Sequence, residues 1–399
     1  MYSQTDINDA VAGGALTEEQ AASLRGFVAR RNGAPTGDEE YVRILLGFND
    51  LFVFTACFFA LAGAGWLGTL IPISSRGMGM GPIPIQAPFA ALFVAAASWG
   101  LAEIFTRKRY SALPGILLTF GFAWGVAFFL LLLLGSAGGM RPDSVSVIAS
   151  LSFAAGAGAA WLHWKRFRVP IAIALAAGTA LLALLSLLAT SMRSPEALWV
   201  IMLLAGIGCF LWAMWWDGQD PPRLTEKADV AFWLHWLGGA LMINGLAQLF
   251  GVANRIDSMG GAIVVLILYA LLGLLALVVN RKVYLLAGVS PLMLALQNLF
   301  GGSSGYDRYA PDERYGAIPY RSPYGDPYGG GYPIRPYRSA AESVEATMLT
   351  FLIVGIILVL LAIYWAPVRR KIVGLLPESL RARVPPTGME AEEQATAFE

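Results

Sequence analysis

The sequence predicts an all-α polytopic integral membrane protein, with about ten transmembrane helices arranged in antiparallel hairpins. Three observations favour this fold class. Of the 399 residues, 57% are hydrophobic and only 14% are charged; long apolar stretches recur along the chain; and Lys and Arg gather in alternate connections between those stretches. Soluble globular domains carry charge at roughly a quarter of their positions. A lipid bilayer is therefore the expected main solvent of this chain and its first partner.

The apolar stretches have the length that a membrane helix requires. About 20 residues, each adding roughly 1.5 Å, cross a hydrocarbon core of about 30 Å. Ten segments are predicted to span, at about 50–72, 87–105, 113–135, 145–163, 169–190, 196–216, 230–251, 259–280, 283–300 and 347–366. Proline lies at or near several span ends, where its missing N–H group costs least.

The basic residues indicate the orientation of these spans. When the connections are assigned alternately to two sides, the side of the N-terminus holds nineteen Lys and Arg residues, and the short connections of the other side hold four. The long ninth connection adds five to the poorer side, but long loops count weakly in the positive-inside rule. Both termini are therefore predicted to be cytoplasmic, and the chain to be a multi-pass protein of the bacterial inner membrane.

The predicted organisation has five parts. They are a cytoplasmic helical hairpin with an interfacial segment at 1–47, a nine-helix membrane domain at 48–300, a loop rich in Tyr, Pro and Gly at 301–346, the tenth span at 347–366, and a basic amphipathic and then acidic cytoplasmic tail at 367–399. In the hairpin, Gly13 and Gly14 are expected to break a first short helix. A capping box formed by Thr17 and Gln20 then opens a second helix, which runs to about Arg31.

The hairpin segment also resembles a known family. A glycine, an apolar residue, a capping threonine and a Gln-Ala pair, followed by a short linker and a multi-span apolar region, resemble the N-terminal pattern of bacterial predicted membrane proteins of the domain of unknown function 2157 family. The residues that carry the resemblance are Gly14, Leu16, Thr17, Gln20, Ala21 and Leu24. The ten spans and the long ninth loop depart from a plain member. The resemblance implies the architecture and brings no activity with it.

The ninth loop has an unusual composition. Between residues 301 and 338 it holds eight Tyr, six Pro and eight Gly. Such a segment buries too little apolar surface to offset its ordering entropy, so it is expected to be disordered and periplasmic. Tyr and Arg side chains bind by stacking and cation–π contacts, so the 301–338 loop is a candidate binding segment for a protein or cell-wall partner. A tolerated low-complexity insertion is the other interpretation.

Polar side chains inside spans are costly, so they are the first place to look for function. The seventh span holds His235, Asn244 and Gln248. Asn244 and Gln248 fall on one face of the helix, and His235 lies about 180° round from Asn244. Pro291 in the middle of the ninth span predicts a kink, a feature that marks binding sites in some transporters. These residues form the predicted polar membrane site, and simple hydrogen bonding between helices is the alternative.

Two further ionisable residues lie near the predicted cytoplasmic ends of spans. Glu103 has Arg107 four residues later, which favours a helical ion pair over a proton carrier. It completes the set of candidate site residues. His163 is expected to lie among the lipid headgroups. The two cysteines, Cys57 and Cys209, fall inside spans and are interpreted as small hydrophobic residues.

No motif in the sequence indicates a reaction. Walker loops, dinucleotide fingerprints and metal-ligand spacings are missing, and no nucleophile has a base at a recognisable spacing. The protein is therefore predicted not to be an enzyme and to hold no metal or other cofactor. The balance of 28 basic and 27 acidic residues gives no reason to expect nucleic acid. The predicted function is a non-enzymatic envelope scaffold or partner-binding protein, and the alternative is a small-solute transporter with its site at the seventh and ninth spans.

The orientation predicts which side of the membrane a labelling reagent reaches. In a chain whose native cysteines are replaced by alanine, Ser303→Cys in the ninth loop is expected to react with an impermeant maleimide added to intact spheroplasts. Ser379→Cys in the C-terminal tail, the matched control, is expected to react only after permeabilisation. Protection of position 303 in intact spheroplasts would overturn the orientation.

Overall fold

A computed structural model of the chain describes residues 7, 10–31, 48–71, 87–108, 112–138, 142–189, 194–220, 223, 225–250, 259–300, 340–381 and 384. All regular elements within these ranges are helices. In chain order they are α1 (Glu18–Arg31), α2 (Phe48–Thr69), α3 (Ala87–Ala102), α4 (Ala112–Gly138), α5 (Pro142–Phe167), α6 (Ile171–Leu188), α7 (Pro195–Gly218), α8 (Glu226–Leu249), α9 (Met259–Val279), α10 (Val283–Phe300), α11 (Ala340–Gly374) and α12 (Glu378–Arg381), and a π-helical turn, Glu103–Lys108, continues α3.

The described residues contain nine helices that are long and apolar enough to cross a membrane, namely α2 to α9 and α11. The ninth predicted span, α10, is present as a shorter apolar helix whose apolar part covers Val283–Gln297. The prediction of an all-α, multi-pass membrane protein is therefore confirmed, with α10 shorter than a full span. The predicted loop at 301–338, the interfacial segment after Arg31 and the acidic tail lie outside the described residues.

The N-terminal helix signals are confirmed in detail. The backbone N–H of Thr17 donates to Gln20 Oε1 at 3.0 Å, and the N–H of Gln20 donates to Thr17 Oγ1 at 3.2 Å. This reciprocal pair is the predicted capping box. Before it, Gly14 adopts φ +73°, a left-handed conformation that suits glycine at the end of a helix. Local side-chain chemistry fixes this turn, which is why the sequence predicted it.

The last long helix differs from its predicted bounds. The tenth span was expected at 347–366, but α11 runs for 35 residues from Ala340 to Gly374 without a break. Pro367 lies inside the helix. Hydropathy indicates only the apolar centre of such a helix, and α11 continues at both ends into polar sequence. The basic residues expected to open the C-terminal tail therefore belong to the membrane helix itself.

The bundle consists of two halves of five long helices. Consecutive helices pack against one another from α2 to α6, and again from α7 to α11 with α8 also packing on α10. The main contact between the halves is that of α6 with α8. We call the end of the bundle that carries the connections after α3, α5, α7 and α9, together with the carboxyl-terminal part of α11, the basic end, because Lys and Arg gather there. The other end is the opposite end.

Small residues bring α7 and α8 into close contact. A Cβ atom on Gly206 would lie 2.8 Å from the backbone nitrogen of Met242, and one on Gly245 would lie 3.0 Å from Leu203. Backbones approach this closely only where one side lacks a side chain, which is the usual way that membrane helices associate. The close packing of α7 on α8 sets where the polar ends of these two helices meet.

This close packing predicts that two glycines of α7 differ in their tolerance of a larger side chain. Gly206→Val is expected to destabilise the protein by about 1–3 kcal/mol, because the added atoms have no room against α8. Gly208→Val is the matched control, since a Cβ atom on Gly208 meets nothing within 4 Å. The measurement is the thermal unfolding midpoint in detergent. Equal midpoints for the two variants would contradict the packing.

Candidate functional site

The basic end contains a buried polar cluster centred on Asp217, near the carboxyl end of α7. The side chain of Asp217 is 7% exposed. Its oxygens accept from His235 Nε2 at 2.9 Å and from Arg281 Nε at 3.2 Å, and Oδ1 forms a further short contact with Arg281 Nη2. Arg223 Nη2 lies 3.8 Å from Oδ2 and adds a second ion pair. One carboxylate thus serves three basic side chains.

His235 connects this carboxylate to α10. Its Nδ1 lies 2.6 Å from the hydroxyl of Tyr284, and both side chains are fully buried. An ionised carboxylate only accepts, so Nε2 carries the hydrogen, and a neutral imidazole then accepts the tyrosine O–H at Nδ1. Gly239 makes room for the tyrosine ring, since a Cβ atom there would lie 2.7 Å from Tyr284 Cδ1.

Arg223 of the cluster and Arg369 of α11 cap the carboxyl end of α9. Arg223 donates to the carbonyl oxygens of Val279 at 3.2 Å and Asn280 at 2.9 Å, and Arg369 of α11 donates to that of Leu277 at 3.2 Å. The last carbonyls of a helix have no partner within the helix and carry partial negative charge, so cations are favoured there. This explains how a fully buried Arg369 is tolerated.

Hydrogen bonds to the side chains of Asn280 and Asp220 fix the connections around the cluster. Asn280 follows α9 with φ +55°, and its Oδ1 accepts from the indole of Trp365 at 3.0 Å. Between α7 and α8, Asp220 Oδ2 accepts from the backbone N–H and the hydroxyl of Thr225, at 2.8 and 2.7 Å. The positive φ of Asn280 is possible because Asn tolerates the left-handed region better than most residues. The cluster therefore joins α7, α8, α9, α10 and α11 at one level.

The burial of this cluster limits the reactions in which its side chains can take part. Tyrosine, histidine and aspartate in series have the order of a nucleophile, its base and the group that orients the base. However, Tyr284 and His235 have no exposed surface, and the described partners already occupy both ring nitrogens of His235. An external substrate does not reach these groups in this conformation. The basic side chains compensate the charge of the buried Asp217 carboxylate, and these contacts fix the ends of the helices relative to one another.

The structure places the predicted site residues in different surroundings. His235 lies in the polar cluster, facing the ninth predicted span. Asn244 is exposed on the surface of α8, and its Nδ2 donates to the carbonyl oxygen of Ala240 in its own helix at 2.7 Å. Gln248 and Pro291 are half-buried. The seventh and ninth predicted spans do meet, but through His235 and Tyr284, and the described contacts do not bring Asn244 to Pro291.

Glu103 forms the predicted ion pair and one more. Arg107 Nη1 lies 3.2 Å from its Oε2, as the spacing of four residues indicated. Arg166 of α5 lies closer, with Nε 2.8 Å from Oε1. Helical spacing could not show this second partner, because it comes from a different helix. The pair ties the π-helical turn after α3 to the end of α5, and all three side chains are partly exposed.

The expectation that His163 lies among headgroups is wrong. Its side chain is fully buried, and rings of Trp99, Phe122 and Phe167 surround it with centroid distances of 4.5 to 6.2 Å. Its Nδ1 lies 3.2 Å from the hydroxyl of Thr119, and its Nε2 has no partner among the described residues. The packing of α5 on α3 and α4 overrides what its position in the sequence suggested.

Sequence reasoning missed most of the polar cluster. Asp217, Arg223 and Arg281 lie at or beyond predicted span ends, where charge is ordinary and needs no special explanation. Tyr284 lies at the start of a predicted span, where aromatic residues are also ordinary as interfacial anchors. The sequence did hold one signal for the cluster. Asp217, Arg223 and Arg281 lie in connections that are predicted to be on the same side of the membrane, so opposite charges meet at that side. Within the described residues, no group of three or more His, Cys, Asp or Glu side chains could hold a metal ion.

Comparison with known proteins returned no family model, no curated protein and no solved structure that matches this chain. The resemblance to the domain of unknown function 2157 family therefore stays a prediction.

The buried ion pairs predict that removing the charge of Asp217 strongly lowers the stability of the protein. Asp217→Asn keeps the size of the side chain but leaves Arg281 and Arg223 without their carboxylate, and breaking a buried pair costs about 3–5 kcal/mol. The variant is expected to unfold at a clearly lower temperature than the wild type in nanodiscs. Glu196→Gln, at the exposed amino end of the same helix, is the control and is expected to have no effect. An unchanged midpoint for Asp217→Asn would contradict the assigned ion pairs.

Proposed function

We propose that the protein is a non-enzymatic scaffold of the bacterial inner membrane, with both termini in the cytoplasm. The observation that carries the proposal is the polar cluster of the basic end, in which the ionisable groups nearest the membrane interior satisfy one another. A site for chemistry or for ion-coupled transport needs a polar group left open for its substrate. In this cluster the groups are instead used to hold helices together.

The orientation is supported by the same residues that predicted it, with one refinement. Arg223, Arg281 and Arg369 contribute to the charge excess of the basic end but are taken up by the cluster. The exposed cations of this end include Lys108, Arg370 and Lys371. These are the residues placed to meet anionic headgroups on a cytoplasmic surface, at about 1 kcal/mol for each cation.

A scaffold needs surfaces that reach beyond the bilayer. On the cytoplasmic side we propose the N-terminal hairpin, where Leu24 is exposed, and the segment after α11, where Leu375 is 85% exposed. On the other side, the 301–338 loop with its Tyr and Arg residues remains the proposed binding segment for a protein or cell-wall partner. The rigid bundle would then hold partners on the two sides at a fixed distance.

Small-solute transport is the second proposal. The observation that favours it is the exposed amide of Asn244, which lies within a helix long enough to span the membrane. Its weakness is the shortage of open ionisable groups, since His235 of α8 and the neighbouring Asp217 and Arg281 are engaged in the cluster.

A scaffold role predicts that the cluster can be replaced as a unit. Buried ion pairs are often exchanged for apolar residues of similar volume without loss of stability. A chain with Asp217→Leu, His235→Leu, Arg281→Met and Tyr284→Phe is therefore expected to accumulate normally and to complement the envelope phenotype of a strain that lacks the protein.

Asp217→Leu alone is the matched control and is expected to fail, because it removes the Asp217 carboxylate but keeps the buried Arg281 that pairs with it. Arg223 is kept in both variants, since it is partly exposed and also donates to the carbonyl oxygens at the end of α9. Loss of complementation by the fourfold variant at a normal protein level would contradict the scaffold proposal, since it would show that the polar groups act beyond holding the helices.

A further inference from the structure

The carboxyl end of α5 carries two cations that are held by tryptophan rings. Lys165 Nζ lies 5.6 Å from the centre of the Trp161 ring, and the guanidinium carbon of Arg168 lies 5.5 Å from the centre of the Trp164 ring. Each cation follows its tryptophan by four residues, the spacing that brings two side chains together on a helix. The face of an indole ring attracts a cation, so the positions of both charges are restricted.

Arg168 has a backbone conformation that does not favour a large side chain. Its φ is +56°, in the left-handed region where glycine is the usual residue. Its N–H donates to the carbonyl oxygen of Trp164 at 2.9 Å. Its neighbours Phe167 and Val169 are both buried, whereas Arg168 is exposed. The turn between α5 and α6 therefore directs Arg168 out of the bundle, and its costly backbone conformation indicates a role for the side chain.

Within the described part of the chain, neither Lys165 nor Arg168 pairs with a carboxylate. Glu103, which ties α3 to α5, already pairs with Arg107 and Arg166. Stacking uses the face of a guanidinium group, so its N–H donors, which lie in the plane, remain available. A lysine ammonium group has three donors, and a ring covers only one side of it. The end of α5 thus presents two oriented cations to an anion.

The surface next to these cations is apolar and faces lipid. Trp161, Leu162 and Leu151 are 46%, 51% and 58% exposed. All three lie within about 60° of Lys165 around the axis of α5. This helix is long and apolar enough to cross a membrane, and Lys165 lies two residues before its end. A phospholipid whose chains lie on this face therefore has its phosphate at the level of the two cations, whereas an acidic soluble partner would leave the apolar surface uncovered.

We infer that the end of α5 binds the headgroup of an anionic phospholipid, with Lys165 and Arg168 on the phosphate and the acyl chains on the exposed face of the helix. Charged N–H donors form strong hydrogen bonds with phosphate oxygens. Basic sites beside transmembrane helices recognise such headgroups. A zwitterionic lipid carries its own ammonium group, so it binds more weakly. This inference goes beyond a scaffold role and does not depend on it.

The test is the affinity of the first bound lipid, measured by native mass spectrometry of the full chain in detergent. Phosphatidylglycerol is expected to bind more tightly than phosphatidylethanolamine. The double variant Lys165→Gln, Arg168→Gln is expected to bind phosphatidylglycerol about twentyfold more weakly, because each cation near a headgroup contributes about fivefold. The matched control is Lys108→Gln, Arg370→Gln, which removes the same charges from exposed positions at the same end. It is expected to retain most of the affinity, since it leaves both tryptophan-held cations in place.

Two further variants distinguish an oriented site from simple attraction between charges. Trp161→Leu keeps every charge and an apolar side chain but removes the ring under Lys165, so the affinity for phosphatidylglycerol is expected to fall severalfold. Arg168→Gly introduces the residue that suits the left-handed turn. It is expected to unfold at no lower a temperature than the wild type and yet to bind about fivefold more weakly. The thermal unfolding midpoint in detergent reports that each variant folds.

Three results would overturn the inference. Equal affinities of the wild type and the Lys165→Gln, Arg168→Gln variant would place the bound lipid elsewhere. Equal affinities for the two lipids would show that the site does not recognise a net negative charge. Displacement of phosphatidylglycerol by an equal concentration of glycerol 3-phosphate would show that the ligand is a soluble phosphate and not a lipid. None of these measurements involves the polar cluster, so they are distinct from the test of the scaffold role.

Discussion

The ion pair between Asp217 and Arg281 is the interaction on which the basic end of this protein depends. A carboxylate that is 7% exposed beside apolar helices remains ionised only if cations and hydrogen-bond donors replace the water that it has lost. Arg281, Arg223 and His235 supply that replacement. Each of them comes from a different part of the chain, so satisfying one carboxylate fixes the carboxyl end of α7 relative to α8 and to the connection before α10.

A second constraint acts alongside the first and shares Arg223 with it. The carboxyl end of α9 presents carbonyl groups that the helix itself cannot satisfy. Arg223 and Arg369 take up three of these carbonyls. Arg223 thus contributes both to the charge balance at Asp217 and to the end of α9. Sharing one side chain between the two sites makes the cluster cooperative, so that losing one member weakens more than one helix contact.

Much of the fold could be predicted because it depends on local sequence. Hydropathy located the helices, since each long helix must be apolar over most of its length. The capping box at Thr17 and Gln20 and the pair of Glu103 with Arg107 could be predicted because their members are three and four residues apart. The partner of Asp217 is 64 residues away, and no periodicity reports such a contact. The full length of α11 was missed because its ends are polar.

The sequence predicted only those members of the candidate site that lie inside a span. A polar residue within a span stands out, so His235, Asn244 and Gln248 were found. Charged residues at span ends do not stand out, because the positive-inside rule already accounts for them. Counting Arg223, Arg281 and Arg369 as orientation signals hid their hydrogen bonds to other helices, and two of them, Arg281 and Arg369, are buried. Distinguishing an anchoring arginine from a buried one needs the tertiary arrangement of the helix ends.

The place of α11 in the chain sets an order of assembly. Trp365 and Arg369 complete the contacts around Asn280 and Leu277, yet they are synthesised more than eighty residues later. While the ribosome is still producing the segment between α10 and α11, the carboxyl end of α9 lacks the caps that these two residues supply. The nine helices from α2 to α10 can insert and pair as they emerge, but the bundle reaches its final state only when the last long helix arrives. The contacts at the carboxyl end of α9 therefore form only after the ribosome has synthesised α11.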